Sequence, residues 1–212
     1  MRDVTGRVGC DGDYSSAWTL PGGGAWHDGG RTTAMPRVDV TRTYLELLRP
    51  EGIGAASDAD PSLRLERVER CPTSFHRYLY AAVGGAYHWV DRLAWTDTET
   101  RAYLDSPSVT LWVLYDGGAP AGYFELKRHD DGSVEIAYFG LLPEFTGRGL
   151  GKHLLTEAVR RAWAQGARRV WLHTCTLDHP AALPNYVARG FRPFKTERYS
   201  VEKEESGLTI GR

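Results

Sequence analysis

Cysteine, methionine and long apolar runs are scarce in this chain. Its 212 residues include only three cysteines and two methionines. The cysteines, at positions 10, 71 and 175, are odd in number and widely spaced, so they match neither a metal-binding spacing nor a disulfide framework. No apolar run approaches the roughly 18 residues that a membrane-spanning helix needs, and the first 20 residues contain no signal-peptide core. We therefore expect a cytoplasmic protein with no bound metal and no membrane contact.

An excess of charge of either sign is also missing. Lys and Arg total 26 against 27 for Asp and Glu, which gives a formal net charge of -1. This balance argues against nucleic acid or an anionic membrane surface as a partner. What the chain has instead is an ordinary globular composition, 42% hydrophobic and 25% charged, and enough length for one domain with a substantial core.

Residues 1–36 differ in composition from the rest of the chain. They contain glycine clusters at 22–24 and 29–30 among polar residues, without a hydrophobic period. A segment of this kind buries too little apolar surface to offset its conformational entropy. We expect a flexible, glycine-rich segment at 1–36, a single folded domain at 37–202 and a polar tail at 203–212.

The hydrophobic patterns between residues 37 and 202 indicate mixed α and β structure. Strands are predicted at 38–48, 63–68, 109–115, 121–127, 134–142, 169–173 and 191–201. Helices are predicted at 73–83, 98–104, 153–164 and 181–189, with Thr73 or Ser74 as the cap of the first. This order predicts an α/β (α+β) fold, in which helices flank a largely antiparallel sheet and one helix crosses over between strands.

The most informative stretch runs from residue 143 to residue 152 and contains three glycines and two basic residues. It joins a predicted strand to a predicted helix. Glycine lets the backbone approach a ligand closely, and a helix N-terminus presents unpaired N–H groups with a partial positive charge, so the junction suits a phosphate. The spacing fits neither a dinucleotide-binding loop nor a Walker loop. A purely structural turn is the alternative.

Two motifs stand in order in the C-terminal half of the chain. A strand end with the turn Leu142-Pro143-Glu144-Phe145 leads into the loop Thr146-Gly147-Arg148-Gly149-Leu150-Gly151, and a later stretch runs from Tyr186 to Gly190-Phe191. The segment from Glu135 to Phe191 thereby resembles the GNAT superfamily of N-acetyltransferases, which has such a loop and a Tyr-x-x-x-Gly-Phe motif. One position departs from the superfamily pattern, since Thr146 stands where Gln or Arg is usual.

The resemblance implies acetyl-CoA as the acyl donor, bound in a V-shaped splay between two central strands. The pantetheine arm would pair with the backbone of Phe139, Gly140 and Leu141. The pyrophosphate would lie on loop amides, and the implied residues are Gly147, Arg148, Gly149, Leu150, Gly151 and Lys152, with the two cations replacing charge that Thr146 lacks. Asp178 and His179 occupy a region where the superfamily often has an Asn that contacts CoA. Capping of the following helix is the alternative role of Asp178.

In this superfamily an amine attacks the thioester directly, so Cys175 is not needed as a nucleophile and is interpreted as a buried core thiol. The amine must first lose a proton to a general base. The resemblance implies two candidates: Glu135, which we prefer, and His173. Their structural alternatives are an outward-facing strand carboxylate and a core histidine. Tyr186 matches the superfamily's general-acid tyrosine, which protonates the leaving thiolate, although a core tyrosine is the alternative.

The acceptor pocket of this superfamily is built by the first helices and the segment between them. Here that segment contains Tyr87, His88 and Trp89, which suits a shaped loop over a pocket, although packing between helices uses the same residue types. Asp91 would hold a cationic amine and Arg92 a carboxylate. We expect a small-molecule or peptide amine as acceptor, and a monomer or homodimer. A non-catalytic acyl-CoA-binding or interaction module is the alternative function.

Overall fold

The computed structural model describes residues 37–50 and 60–202. The elements in this part of the chain are β1 (Arg37–Leu47), β2 (Leu63–Arg67), α1 (Thr73–Gly84), α2 (Asp97–Leu104), β3 (Val109–Asp116), β4 (Ala119–Arg128), β5 (Ser133–Leu141), α3 (Leu150–Ala164), β6 (Arg169–Cys175), α4 (Ala182–Val187) and β7 (Arg192–Glu202). A 3-10 turn at Pro143–Phe145 lies between β5 and α3.

The strands form one sheet in the order β2-β3-β4-β5-β6-β1-β7. β5 and β6 are parallel because α3 crosses over between them. Every other pair of neighbouring strands is antiparallel. The predicted fold class, a mixed and mostly antiparallel sheet flanked by helices, is therefore confirmed.

β5 and β6 pair over only a short stretch. The parallel ladder joins Ser133–Glu135 to Arg169–Trp171. Beyond these residues β5 continues to pair with β4 as far as Leu141, whereas β6 continues to pair with β1. The two strands therefore diverge towards their C-terminal ends and leave a V-shaped opening at the centre of the sheet.

Hydrophobic clusters cover both faces of the sheet. On one face α3 packs through Leu154 and Leu155 against strand residues such as Leu172, and all three are at most 1% exposed. On the other face Leu79 of α1 packs against Tyr123 of β4. Each large apolar side chain buried in this way contributes about 1.5–3 kcal/mol relative to its exposed state. Two packed faces thus hold the diverging strands in place from both sides.

The helix starts differ from the predicted ones. The prediction that Thr73 or Ser74 caps α1 is wrong, because Pro72 precedes the helix and no side chain caps it. α2 begins at Asp97, where the Thr96 side chain accepts from the backbone N–H of the third helical residue in a capping box. α3 begins three positions earlier than residue 153, directly after Gly149. The prediction places Gly147, Gly149 and Gly151 in the loop, whereas Gly151 lies in the first turn of α3.

Some predictions concern residues outside the described ranges. They are the flexible segment at 1–36, the tail at 203–212 and most of the linker at 50–61. Within the described ranges, no helix is long and apolar enough to cross a bilayer. Over the same residues, no group of three or more His, Cys, Asp or Glu side chains is arranged to hold a metal ion.

A buried ion pair joins the helical layer of α1 and α2 to the sheet. Glu125 of β4 is fully buried and accepts hydrogen bonds from Arg92 Nη1 at 2.8 Å and from the Tyr103 hydroxyl at 2.7 Å. His76 Nε2 lies 3.0 Å from the other carboxylate oxygen. The Arg92 guanidinium also lies 4.0 Å from the ring centroid of Tyr138 on β5. One carboxylate of the sheet is thus bonded to α1, to α2 and to the segment between them.

The environment of Glu125 favours its charged form. Burial raises its pKa, but Arg92, His76 and the hydrogen bonds outweigh that effect and lower the pKa to about 2. A carboxyl whose pKa is lower in the folded than in the unfolded state stabilises the fold at neutral pH. That contribution is lost as the pH falls from about 4 towards 2.

We predict that Arg92→Met lowers the free energy of unfolding by about 3–5 kcal/mol, because it leaves a buried carboxylate without its cation. Urea denaturation at neutral pH measures the change. Arg77→Met is the matched control, since Arg77 pairs with Asp97 at an exposed position on the same helical layer and should lose less than about 1 kcal/mol. Equal losses in the two variants would contradict this account.

Candidate active site

The V-shaped opening contains a cleft of about 460 Å³. Its walls are the end of β5 from Ile136 to Leu141, the residues Leu172 and His173 of β6, the helix α4 and the loop before α3. This volume lies within the range of small-molecule and cofactor pockets. The divergence of two paired strands therefore creates the site.

The loop of residues 146–151, called the glycine loop below, closes one end of the cleft. Gly147 and Gly149 have φ angles of 76° and 79°, a left-handed backbone that residues with a Cβ rarely adopt. Gly149 occupies the N-cap position of α3, and no side chain caps that helix. The glycines at 147, 149 and 151 all line the cleft. The first-turn N–H groups of α3, with their partial positive charge, are thereby brought to the cleft.

The basic residues of this stretch are positioned differently. Lys152 is exposed and lines the cleft. Arg148 is not part of the cleft wall: its Nη2 donates to Asp116 Oδ2 at 2.7 Å, and its guanidinium lies 5.3 Å from the Phe145 ring centroid. The Leu150 side chain is in the hydrophobic core. Of these three predicted ligands, Lys152 is on the cleft wall, whereas Arg148 and Leu150 are not.

Arg189, which no motif singled out, also lines the cleft. Its Nε donates to the Lys152 carbonyl at 3.3 Å and to Thr156 Oγ1 at 3.4 Å, and its Nη1 donates to Asn185 Oδ1 at 3.1 Å. These bonds tie the end of α4 to the first turn of α3. The signal in the sequence was a basic residue directly before Gly190, within the second motif.

The end of β5 forms one long wall of the cleft. Phe139, Gly140 and Leu141 all line it. Position 140 requires glycine, because a Cβ there would lie 2.3 Å from Val83 Cγ1 at the end of α1. The missing side chain lets α1 pack directly on the strand, and Val83 of that helix also lines the cleft.

Tyr186 of α4 lies between two phenylalanine rings. Its ring centroid is 6.1 Å from that of Phe139 and 6.2 Å from that of Phe191. The residue lines the cleft and is only 6% exposed. Burial, with a smaller effect of the Asp178 charge, raises the pKa of its hydroxyl. The phenol therefore stays protonated at neutral pH, as a proton donor must.

Asp178 lines the cleft at the turn after β6. Its Oδ2 accepts hydrogen bonds from Thr174 Oγ1 at 2.7 Å and from the Cys175 amide at 2.8 Å. The alternative that it caps α4 is wrong, because that helix has no side-chain cap. The expected burial of Cys175 is confirmed, since it packs with Val40 and Val201.

His179, the next residue, also lines the cleft and is exposed. Its Nδ1 accepts a hydrogen bond from the Ala181 amide at 3.1 Å. Its ring meets Tyr87 edge-on with centroids 6.1 Å apart. The turn after β6 and the segment after α1 therefore meet across the cleft.

The two base candidates are placed differently. His173 lines the cleft and meets the Tyr44 ring edge-on, with centroids 5.4 Å apart. Glu135 is absent from the cleft wall and is 1% exposed, so the alternative of an outward-facing carboxylate is wrong. Its Oε2 lies 2.9 Å from His129 Nε2, and its Oε1 is buried with no hydrogen-bond partner among the described residues. An amine or a water molecule at Oε1 would complete its hydrogen bonding.

The predicted acceptor segment reaches the cleft in part. Tyr87 and Trp89 line it, whereas His88, with a left-handed φ of 58°, does not. The Trp89 ring meets Tyr138 edge-on at 5.0 Å, and it packs so closely on Gly84 that a Cβ there would lie 2.4 Å from the indole. The aromatic residues Tyr87, Trp89 and Tyr138 thus form part of the cleft wall.

Asp91 and Arg92 are engaged within the protein. Asp91 accepts hydrogen bonds from the hydroxyls of Tyr80 and Tyr138, and Arg92 binds Glu125. The prediction that Arg92 holds an acceptor carboxylate is wrong, because its guanidinium is buried and already paired. Both residues instead fix Tyr138, which lines the cleft.

A sequence model of the Acetyltransferase (GNAT) family matches residues 75–191. That span includes every residue that lines the cleft. The chain belongs to this GNAT acetyltransferase family. It is 31% identical over 112 residues to a mycothiol acetyltransferase of Corynebacterium efficiens, covering 50% of this chain and 37% of that protein. It is also 28% identical over 134 residues to the uncharacterised N-acetyltransferase YedL of Escherichia coli, covering 59% and 84%.

The GNAT chain described here spans well under half the length of the mycothiol acetyltransferases it matches. Among solved structures, a GCN5-related N-acetyltransferase from Kribbella flavida superimposes with a TM-score of 0.55 at 20% identity, covering 77% of this chain and 58% of that one. A putative GNAT acetyltransferase from Novosphingobium aromaticivorans gives 0.53 at 16% identity, covering 82% and 69%. These likenesses show the shared fold.

Proposed function

We propose that residues 37–202 form one N-acetyltransferase domain that transfers an acetyl group from acetyl-CoA to an amine. Transfer is direct, with both substrates bound together. The observation that carries this proposal is the cleft between β5 and β6, which joins an uncapped helix N-terminus, a buried protonated tyrosine and a histidine in one cavity. We further propose a cytoplasmic monomer or homodimer that uses no metal, nucleic acid or membrane.

In this proposal the coenzyme lies along the cleft. The edge of β5 at Phe139–Leu141 receives the pantetheine arm, because the strand has no neighbour on that side beyond Glu135. The amides of Gly147 to Lys152 receive the pyrophosphate, which matches the left-handed glycines and the charge of a helix N-terminus. Asp178 and His179 flank the arm at the turn after β6. The Arg148 side chain is left out, since it pairs with Asp116.

Proton removal from the amine is assigned first to His173. It is the base candidate on the cleft wall, and an unperturbed imidazole accepts protons near neutral pH. Glu135 is the second candidate, because its Oε1 is buried without a partner among the described residues and would accept a hydrogen bond from a water molecule beside the amine. Sequence alone favoured Glu135, whereas the geometry favours His173.

Proton delivery to the leaving thiolate is assigned to Tyr186. Because burial raises its pKa, the phenol holds its proton at neutral pH and donates it where negative charge develops. Tyr87 and Trp89 are assigned to the acceptor side, because both line the cleft. The acceptor is a small-molecule or peptide amine. Because some relatives are named mycothiol acetyltransferases, the amine that those enzymes acetylate should be tested first.

We predict that Tyr186→Phe and His173→Ala each lower the turnover number about 10²-fold or more, because each removes one proton transfer. Affinity for acetyl-CoA should change little. Thiol release is followed with a panel of small amines, amino acids and peptides, and Glu135→Gln is assayed beside them. Full turnover in a variant that lacks both Tyr186 and His173 would contradict the assignment. CoA binding without thiol release on any amine would favour a non-catalytic acyl-CoA-binding module.

We also predict that Gly149→Val weakens CoA binding at least about tenfold, since a β-branched residue does not tolerate the left-handed backbone that starts α3. Gly166→Val is the matched control, because Gly166 has the same φ of 79°, with nothing within 4 Å of its Cβ position, at the other end of α3. Both variants should lose similar stability, about 1–2 kcal/mol, and only Gly149→Val should lose affinity in calorimetry. Equal affinity in both would show that the glycine loop does not hold the coenzyme.

A further inference from the structure

Arg189 is the arginine that lines the cleft, and it has no acidic partner among the described residues. Three described arginines with carboxylate partners within 4 Å are Arg92 with Glu125, Arg148 with Asp116 and Arg169 with Glu46. Arg189 forms no such pair with any residue in the described ranges. Its hydrogen bonds go to neutral acceptors, namely a carbonyl, a hydroxyl and an amide oxygen. Its positive charge is therefore uncompensated.

The position of Arg189 brings this positive charge to the cleft. It is half-buried on the cleft wall, and partial burial lowers its pKa, as expected for a guanidinium that has lost water without gaining an anion. Two of its three acceptors, the carbonyl of Lys152 and the hydroxyl of Thr156, belong to the first turns of α3. These hydrogen bonds hold the guanidinium in one position beside the glycine loop.

The surroundings add positive charge and little negative charge. Lys152 lines the same part of the cleft, and no described residue within 4 Å pairs with it as an acid. Asp178 is the acid on the cleft wall, and its Oδ2 is occupied by Thr174 and Cys175. The Thr146 hydroxyl is used inside the loop, where it donates to the Pro143 carbonyl at 2.8 Å. The cations that remain to meet an anion here are Lys152 and Arg189.

We propose that Arg189 binds a phosphate group of the coenzyme, together with Lys152 and the amides of the glycine loop. The inference rests on the proposed function and assigns a residue to it that neither motif identified. Arginine suits this role because its planar guanidinium can offer two parallel N–H donors to phosphate oxygens. Coenzyme A offers two phosphate sources, the pyrophosphate and the 3′-phosphate of its ribose, and both have the chemistry that Arg189 recognises.

A purely structural role is the competing explanation, because Arg189 also ties α4 to α3. The two roles predict different effects on ligand binding. A structural tie affects every ligand of the cleft alike, whereas a phosphate contact affects only ligands that carry the phosphate. Comparison of ligands with and without phosphate groups therefore separates them.

The test measures the dissociation constants of CoA, dephospho-CoA and pantetheine for the full chain. Isothermal titration calorimetry measures the binding of all three ligands without depending on a reporter residue. The variants are Arg189→Ala and Arg189→Lys, with Arg160→Ala as the control. Arg160 carries the same charge and lies on α3 but pairs with Glu157 outside the cleft wall, so its removal controls for the long-range field of the protein.

Arg189→Ala is expected to weaken CoA binding about 10- to 100-fold, the range of a hydrogen-bonded charge contact, and to leave pantetheine binding unchanged. Arg189→Lys should recover part of the loss, and Arg160→Ala should change the affinity for CoA less than about twofold. Loss for CoA alone would assign the 3′-phosphate, and loss for CoA and dephospho-CoA would assign the pyrophosphate.

Three results would overturn the proposal, and the third is distinguishable from the first two. An equal loss for all three ligands, or no loss for any, would reduce Arg189 to a structural tie and leave the proposed function intact. Failure of the unaltered protein to bind CoA at all would overturn both the Arg189 assignment and the proposed function.

Discussion

The early end of the β5–β6 ladder is the constraint on which the site depends. The two strands share hydrogen bonds only over Ser133–Glu135 and Arg169–Trp171, and each then follows its other neighbour. Backbone N–H and C=O groups at the inner edges of the opening consequently lack a partner strand, and buried groups of this kind need another partner. This divergence sets the positions of the cleft, of the glycine loop at its end and of the two base candidates.

The opening is held by packing on both faces of the sheet. α3 carries the glycine loop at its N-terminus and is anchored by fully buried leucines. On the other face, the pair of Arg92 and Glu125 fixes the segment after α1, and through Tyr138 it shapes the cleft wall. A buried ion pair is weak evidence for net stability, so its more specific consequence is the placement of Tyr87 and Trp89.

The acid–base chemistry proposed for the cleft rests on two groups of its wall, Tyr186 and His173. Tyr186 lies between aromatic rings and keeps its proton because burial raises its pKa. His173 lies on the strand across the opening, where imidazole can accept a proton. A buried phenol and an imidazole on the cleft wall fit the roles of acid and base proposed for them.

Sequence patterns were sufficient for the fold and for much of the cleft, because both depend on local signals. Alternating apolar residues marked the strands, and the glycine loop with Tyr186 marked the two sides of the opening. The partners of charged side chains could not be predicted in this way. Arg148 and Arg92 were expected to meet ligands, yet they pair with Asp116 and Glu125 from distant parts of the chain. Arg189 was missed because only the packing of α4 against α3 brings it to the loop.

Hydrogen–deuterium exchange with and without acetyl-CoA tests the central claim most directly, because it reports on the backbone edges that the diverging strands leave open. We predict that the coenzyme slows exchange at the amides of residues 139–141 and 147–152. Amides on the β3–β4 hairpin, which pair within the sheet, should stay unchanged and serve as the internal control. Unchanged exchange at both cleft segments in saturating acetyl-CoA would contradict the account.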